Sequence, residues 1–194
     1  MDLTLASDQG SAPQNADGPV PTPPQSPTGD DATFDTIASA LNAARKPIGV
    51  VGIGMTPERD TPAIQRFFDE TGIPYVVTCQ GKSNASPYGK RFLGHCLPAA
   101  GDRPITAWIE ERDCVLGVGF DPVESSIFWH FDAPLHLIGE GPVGFGEFQP
   151  PVECNGNISV LIDRLRESYT GSIDWTDAAI EELRSEVANL DLTP

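Results

Sequence analysis

Apolar residues fall along this chain in two rhythms. Short apolar runs bounded by glycine, proline or acidic residues predict strands over residues 48–53, 74–78, 113–118 and 134–138. Between them, apolar side chains recur every three or four positions, as on one face of a helix. Phe34, Ile37, Leu41 and Ala44 predict a helix over 34–44 with Thr33 as its cap; Arg45 and Lys46 suit its negative end, and Pro47 stops it. A second helix runs from Asp60 or Thr61 to Thr71, with Pro62 in its first turn, Ile64, Phe67 and Phe68 inward, and Gly72 after its end. Asp102 and Pro104 open a third helix through Glu111. Asn157 caps a fourth that reaches Tyr169, with Ile158, Leu161, Ile162 and Leu165 inward, and an acidic helix over 176–190 closes the pattern. The stretch 79–102 is rich in Gly, Ser and Asn and is read as one long loop, 139–146 as a second glycine loop, and 122–129 as a turn into a short segment. Apolar runs alternating with helices predict an α/β fold: a doubly wound, mostly parallel, Rossmann-like sheet with helices on both faces. Ligands of such sheets sit beyond the carboxyl ends of the strands, where the glycines of this chain fall.

Composition divides the chain. The first 31 residues are rich in Pro, Ser, Gly and Asp, contain no Lys or Arg, and are read as a disordered acidic tail; residues 32–194 form the α/β domain with its carboxyl-terminal helix. The net charge of −16, with Lys46, Lys82 and Lys90 as the only lysines, sets nucleic acid and anionic membrane aside as partners. Abundant carboxylates with few lysines suggest the surface of a protein from a salt-loving cytoplasm, where salt screens the self-repulsion. Cys79, Cys96, Cys114 and Cys154 have no Cys-x-x-Cys spacing and read as reduced thiols. No apolar run reaches the roughly 18 residues of a membrane span, and no secretory signal opens the sequence, so the expected location is cytoplasmic.

The candidate chemistry is modest. Gly52-Ile-Gly54 after the first strand resembles the opening of a dinucleotide-binding turn, but Pro57 stands at the third glycine position; a tight turn without a ligand fits equally. Thr78-Cys-Gln-Gly81-Lys82 follows the second strand: Thr78 can bond a phosphate or ribose, Gly81 permits close approach, and Lys82 supplies charge, or is simply solvated. The spacing is not that of a Walker A loop. His95 and Cys96 are adjacent, which rarely gives a nucleophile and its base the needed geometry. No His, Cys and carboxylate spacing suits a metal, and no catalytic constellation is visible. Phe120, Ile127, Phe128, Trp129 and Phe131 cluster after the third strand, as a partner surface if exposed together and as core if buried.

Five segments in order resemble a known family. Lys-Pro-Ile-Gly-Val-Val-Gly-Ile-Gly over 46–54 is similar to the first strand of the central domain of thiamine-diphosphate enzymes, the acetolactate synthase group above all. Gly-Ile-Pro-Tyr-Val-Val-Thr-Cys-Gln-Gly-Lys over 72–82 resembles that domain's second strand and Gly-Lys loop. Phe-Leu-Gly-His over 92–95 resembles its glycine/histidine segment, and 113–119 its third strand. Asp174-Trp175 and the last helix resemble its exit toward the next domain. The resemblance implies a three-domain enzyme whose outer domains hold the cofactor, one through a glutamate at the aminopyrimidine ring, the other through a Gly-Asp-Gly…Asn motif for Mg²⁺ and diphosphate. Neither is recognised here, so thiamine diphosphate and Mg²⁺ are implied only for a complete assembly. The partners would then be chains carrying those domains, with a homo-oligomer left open, and this chain would be a non-catalytic subunit of a split decarboxylase or carboligase. A stand-alone module holding FAD, ADP or CoA, or a nonfunctional remnant, are the alternatives. By resemblance the central-domain pocket would involve Gly52, Gly54, Thr78, Gly81, Lys82, His95 and Gly119. FAD-binding relatives usually carry arginine-containing sequence after the last of these. Here Phe-Asp-Pro-Val-Glu follows over 120–124, and a carboxylate beside a pyrophosphate is repulsive.

Overall fold

The computed structural model describes residues 30–86, 88–96, 109–121, 124, 133–143 and 151–190. They form one sheet flanked by helices: α1 (Asp31–Ala43), β1 (Ile48–Val51), α2 (Pro57–Thr71), β2 (Tyr75–Thr78), a 3-10 turn (Lys82–Asn84), β3 (Phe92–Cys96), β4 (Val115–Val118), β5 (Leu135–Gly139), β6 (Val152–Asn155), α3 (Ile158–Ser168) and α4 (Asp177–Leu190). All neighbouring strands pair in parallel. Their order is β3-β2-β1-β4-β5-β6, the doubly wound arrangement in which the chain reverses direction across the sheet between β1 and β4.

The register levels the carboxyl ends. Val51 lies beside Val77 on β2 and Val118 on β4, Val118 beside Ile138, and Gly139 beside Asn155. Alternation then sends side chains to both faces. Val51, Val77, Leu116, Val118 and Ile138 meet Phe34, Ile37, Leu41, Phe67, Phe68 and Ile162 from α1, α2 and α3. Ile48, Val50, Val76, Val115, Leu135 and Leu137 meet Ile109 and Ile180 on the other face. Burial on both sides is why these strands read as unbroken apolar runs. Gly49 belongs to this packing: a Cβ there would lie 2.3 Å from the Phe68 ring, which stacks on Tyr75 with centroids 4.4 Å apart.

Several sequence expectations are corrected. Two strands were not foreseen: β3, placed by the sequence inside a long loop, and β6. Both are edge strands with mixed side chains, Phe-Leu-Gly-His-Cys and Val-Glu-Cys-Asn, so neither shows a buried apolar run. Asp30, not Thr33, caps α1; its carboxylate accepts the Thr33 N–H at 3.1 Å and the Thr33 hydroxyl at 2.7 Å. The helix therefore takes in Asp31, which composition placed with the tail. α2 starts at Pro57, ahead of the expected Asp60 or Thr61, since Pro suits a first helical position. Gly72, with φ of 75°, ends it in the left-handed conformation. Phe120 is buried, while Ile127, Phe128, Trp129, Phe131, the tail and most of the expected 104–111 helix lie outside the described residues.

The linker between α3 and α4 is fastened to the amino edge of the sheet. Asp174 pairs with Arg45 and donates its backbone N–H to the Arg45 carbonyl at 2.7 Å. Trp175 donates to the Pro47 carbonyl at 2.9 Å. From there α4 runs beside β3, where the Arg184 guanidinium donates to the carbonyls of Gly89, Lys90 and Phe92. Among the described residues no helix is long and apolar enough to cross a membrane.

Candidate site at the carboxyl edge of the sheet

Five of the seven residues expected to form a site meet at the reversal point between β1 and β4. After β1 the chain turns sharply through Gly52 and Gly54. Gly52 donates to the Val118 carbonyl at 2.9 Å, and Gly54 to the Gly119 carbonyl at 2.7 Å. Gly119, with φ of 55°, donates in turn to Ile138 at 2.8 Å. Gly81 comes in from β2: a Cβ there would lie 3.0 Å from the Gly52 carbonyl carbon and oxygen. Its N–H reaches the Thr78 hydroxyl oxygen at 3.1 Å. Lys82 and His95 stand apart. Lys82 opens the 3-10 turn with an exposed side chain; His95 lies on edge strand β3, opposite Val77 and edge-on to Phe92.

The centre of the arrangement is a residue the sequence did not single out as a site residue. Glu124 is only 3% exposed. One of its carboxylate oxygens accepts the backbone N–H of Ile53 at 2.9 Å and of Asp121 at 3.0 Å; the other accepts the Thr78 hydroxyl. The same side chain explains Gly52, where a Cβ would sit 2.5 Å from a Glu124 carboxylate oxygen and 2.5 Å from the Gly119 carbonyl oxygen. Asn84 closes the other side by donating its amide to the Gly52 carbonyl at 2.7 Å. The sequence marks Glu124 only as part of the carboxylate-bearing segment after Gly119 and does not mark Asn84, because the burial of both is decided by tertiary packing.

A second buried carboxylate lies in the first turn of α2. Asp60 is 0% exposed and accepts the backbone N–H of Thr56 at 2.9 Å and of Ser159 at 3.1 Å, together with two bonds from Arg59. Arg59 also pairs with Glu140, just beyond β5, so that Asp60 first and Glu140 second hold the guanidinium firmly charged. These bonds join the starts of α2 and α3 to the end of β5.

Two further titratable groups are buried in the interior. Burial pushes the Cys114 thiol up to about 12, which keeps it protonated and inert at neutral pH. Its neighbour His136, with ring nitrogen 3.7 Å from the sulfur, is driven toward the neutral form by burial. Both lie toward the strands' amino side or interior, away from the glycine turn. Among the described residues no group of three His, Cys, Asp or Glu can hold a metal ion. A groove of about 420 Å³ lies at the amino end of β3 instead, lined by Tyr88, Lys90, Phe92, Leu93 and Arg184.

The donor set decides what fits. The N–H groups of Gly52, Ile53, Gly54 and Met55, which a dinucleotide-binding turn would offer to a pyrophosphate, all have acceptors within the chain. A pyrophosphate charge brought to about 4 Å from Glu124 would be repelled by roughly 4 kcal/mol at an effective dielectric of about 20. FAD and ADP therefore do not fit this turn. Nor do the described residues fit the Mg²⁺ and diphosphate of thiamine diphosphate, because the two buried carboxylates are already satisfied by backbone N–H, hydroxyl and guanidinium donors.

Residues 34–135 match the family described as "Thiamine pyrophosphate enzyme, central domain". The chain is 26% identical to the acetolactate synthase of Bacillus subtilis (strain 168) over 152 residues, which covers 75% of this chain and 26% of that protein. Its fold is similar to the solved structure of an enzyme from Mycobacterium smegmatis assigned as thiamin diphosphate-dependent, with a TM-score of 0.61 at 20% identity, covering 77% of this chain and 30% of that one. The chain thus spans between a quarter and a third of the length of these proteins.

Proposed function

The chain belongs to the family of thiamine pyrophosphate enzyme central domains, and from that premise we propose that it works as the middle domain of an acetolactate synthase-like decarboxylase or carboligase. Thiamine diphosphate and Mg²⁺ would be held by other domains, and this chain alone would not be catalytic. The observation that carries this reading is the self-satisfied reversal point: Glu124, Thr78 and the glycine turn bond to one another, as suits a rigid spacer more than a reaction chamber. Rigidity of this kind serves an enzyme whose reacting groups come from its neighbours, since misplacement by about 1 Å can cost about a hundredfold in rate. The cofactor supplies the carbon–carbon chemistry when bound; the residues of this chain hold position.

The test is reconstitution. The purified chain, with thiamine diphosphate, Mg²⁺ and pyruvate in molar KCl, is expected to release no carbon dioxide above background. Adding a chain that carries the cofactor-binding domains, from the same cells, is expected to restore turnover and to make it saturable in the present chain. Turnover by the chain alone would overturn the reading, as would partner turnover indifferent to the chain's presence.

A further inference from the structure

Doubly wound sheets of this strand order leave a crevice beyond the first and fourth strands, and the turn after β1 is where a dinucleotide's pyrophosphate is ordinarily received. In this chain that turn is not empty of charge. A carboxylate, nearly fully buried, stands against it and takes the Ile53 and Asp121 N–H groups and the Thr78 hydroxyl, the donor types an anionic ligand would use. The surrounding backbone is shaped to it, because Gly52 has no room for a Cβ beside the Glu124 oxygen.

We infer that Glu124 is a resident anion: its carboxylate fills the pyrophosphate position of the fold, so that the domain keeps its nucleotide crevice closed with a group of its own. Three charge-assisted bonds offset the cost of burying the charge. An incoming pyrophosphate would have to break them and then lie against the displaced carboxylate. The role of Lys82 changes accordingly. It is an exposed cation on the 3-10 turn after Gly81, not a phosphate ligand within an open crevice. The inference depends on the strand order and the Glu124 bonds alone, so it stands or falls separately from the proposed assembly.

Calorimetry in molar KCl tests it on three forms of the chain. Wild type is expected to give no binding heat with ADP, FAD or inorganic pyrophosphate. Glu124→Ala vacates the position: pyrophosphate affinity is expected to rise by about tenfold or more, up to the roughly thousandfold that a repulsion of about 4 kcal/mol represents. The melting temperature of that variant is expected to fall and to recover in acetate, but not in chloride at equal ionic strength, because acetate returns the missing carboxylate. Glu124→Gln keeps the shape without the charge and is expected to admit pyrophosphate more weakly than the alanine variant. Wild-type binding of ADP or FAD overturns the inference whatever the variants do. A folded Glu124→Ala chain that gains neither pyrophosphate binding nor acetate recovery also overturns it. If the alanine variant does not fold, Glu124→Gln serves in its place, and failure to bind pyrophosphate above wild type counts against the inference.

Discussion

Replacing Asp60 with alanine is expected to destabilise the domain by about 3 kcal/mol, which lowers the melting temperature by roughly 6–12 °C for a domain of this size. Its carboxylate is 0% exposed and accepts N–H groups from two helix starts, Thr56 at α2 and Ser159 at α3. Alanine leaves both part-buried N–H groups without this acceptor, and an unmade buried bond costs about 1–3 kcal/mol. Arg59 loses two bonds as well but keeps Glu140 and partial access to water, so its share is the smaller one. Glu140→Ala supplies the contrast: that carboxylate is partly exposed, and its loss is expected to cost no more than about 1 kcal/mol. Differential scanning calorimetry of the two variants in molar KCl distinguishes them. Equal shifts would show that Asp60 is an ordinary surface partner of Arg59 and not the tie between α2 and α3.

Gly52→Ala is expected to be comparably damaging, by about 3 kcal/mol, for a different reason. The added methyl would lie 2.5 Å from the Gly119 carbonyl oxygen and 2.6 Å from the Phe120 Cα. Both are backbone atoms, so no side chain can swing away to relieve the clash. The turn after β1 must move off the loop after β4, and the Ile53 and Gly54 bonds to Glu124 and Gly119 lengthen with it. Gly141→Ala is the control, because nothing lies within 4 Å of a Cβ there. Urea unfolding is expected to show a large fall in midpoint for Gly52→Ala and almost none for Gly141→Ala. Similar midpoints would mean that the two loops are not held as close as the structure has them.

Central strands and amphipathic helices were legible in the sequence, since burial on two faces or on one leaves a plain apolar signature. The edges were not. β3 presents glycine and histidine in the midst of its run, and β6 has three half-buried side chains and one buried over only four residues, so neither differs from loop sequence until its partner strand is known. The same division holds at the site. Gly52, Gly54, Gly81 and Gly119 could be read because glycine after an apolar run marks a place where backbones approach, and the structure brings all four together. By residue type Thr78 can bond a phosphate or ribose. It bonds instead to Glu124, whose closeness depends on a loop joining the fold from 46 residues downstream. Chemistry written in residue types was visible; chemistry written in long-range contact was not.

The net charge of −16 sets the conditions for the decisive measurement, since molar salt screens the self-repulsion. The central claim is that this domain works beside domains that hold thiamine diphosphate. Native mass spectrometry of the chain drawn from its own cells in molar KCl tests that claim most directly. The account predicts a complex whose additional mass belongs to a chain bearing thiamine-diphosphate-binding domains, with the cofactor retained on that chain. A particle that contains this chain alone, carrying a tightly bound nucleotide, would contradict it.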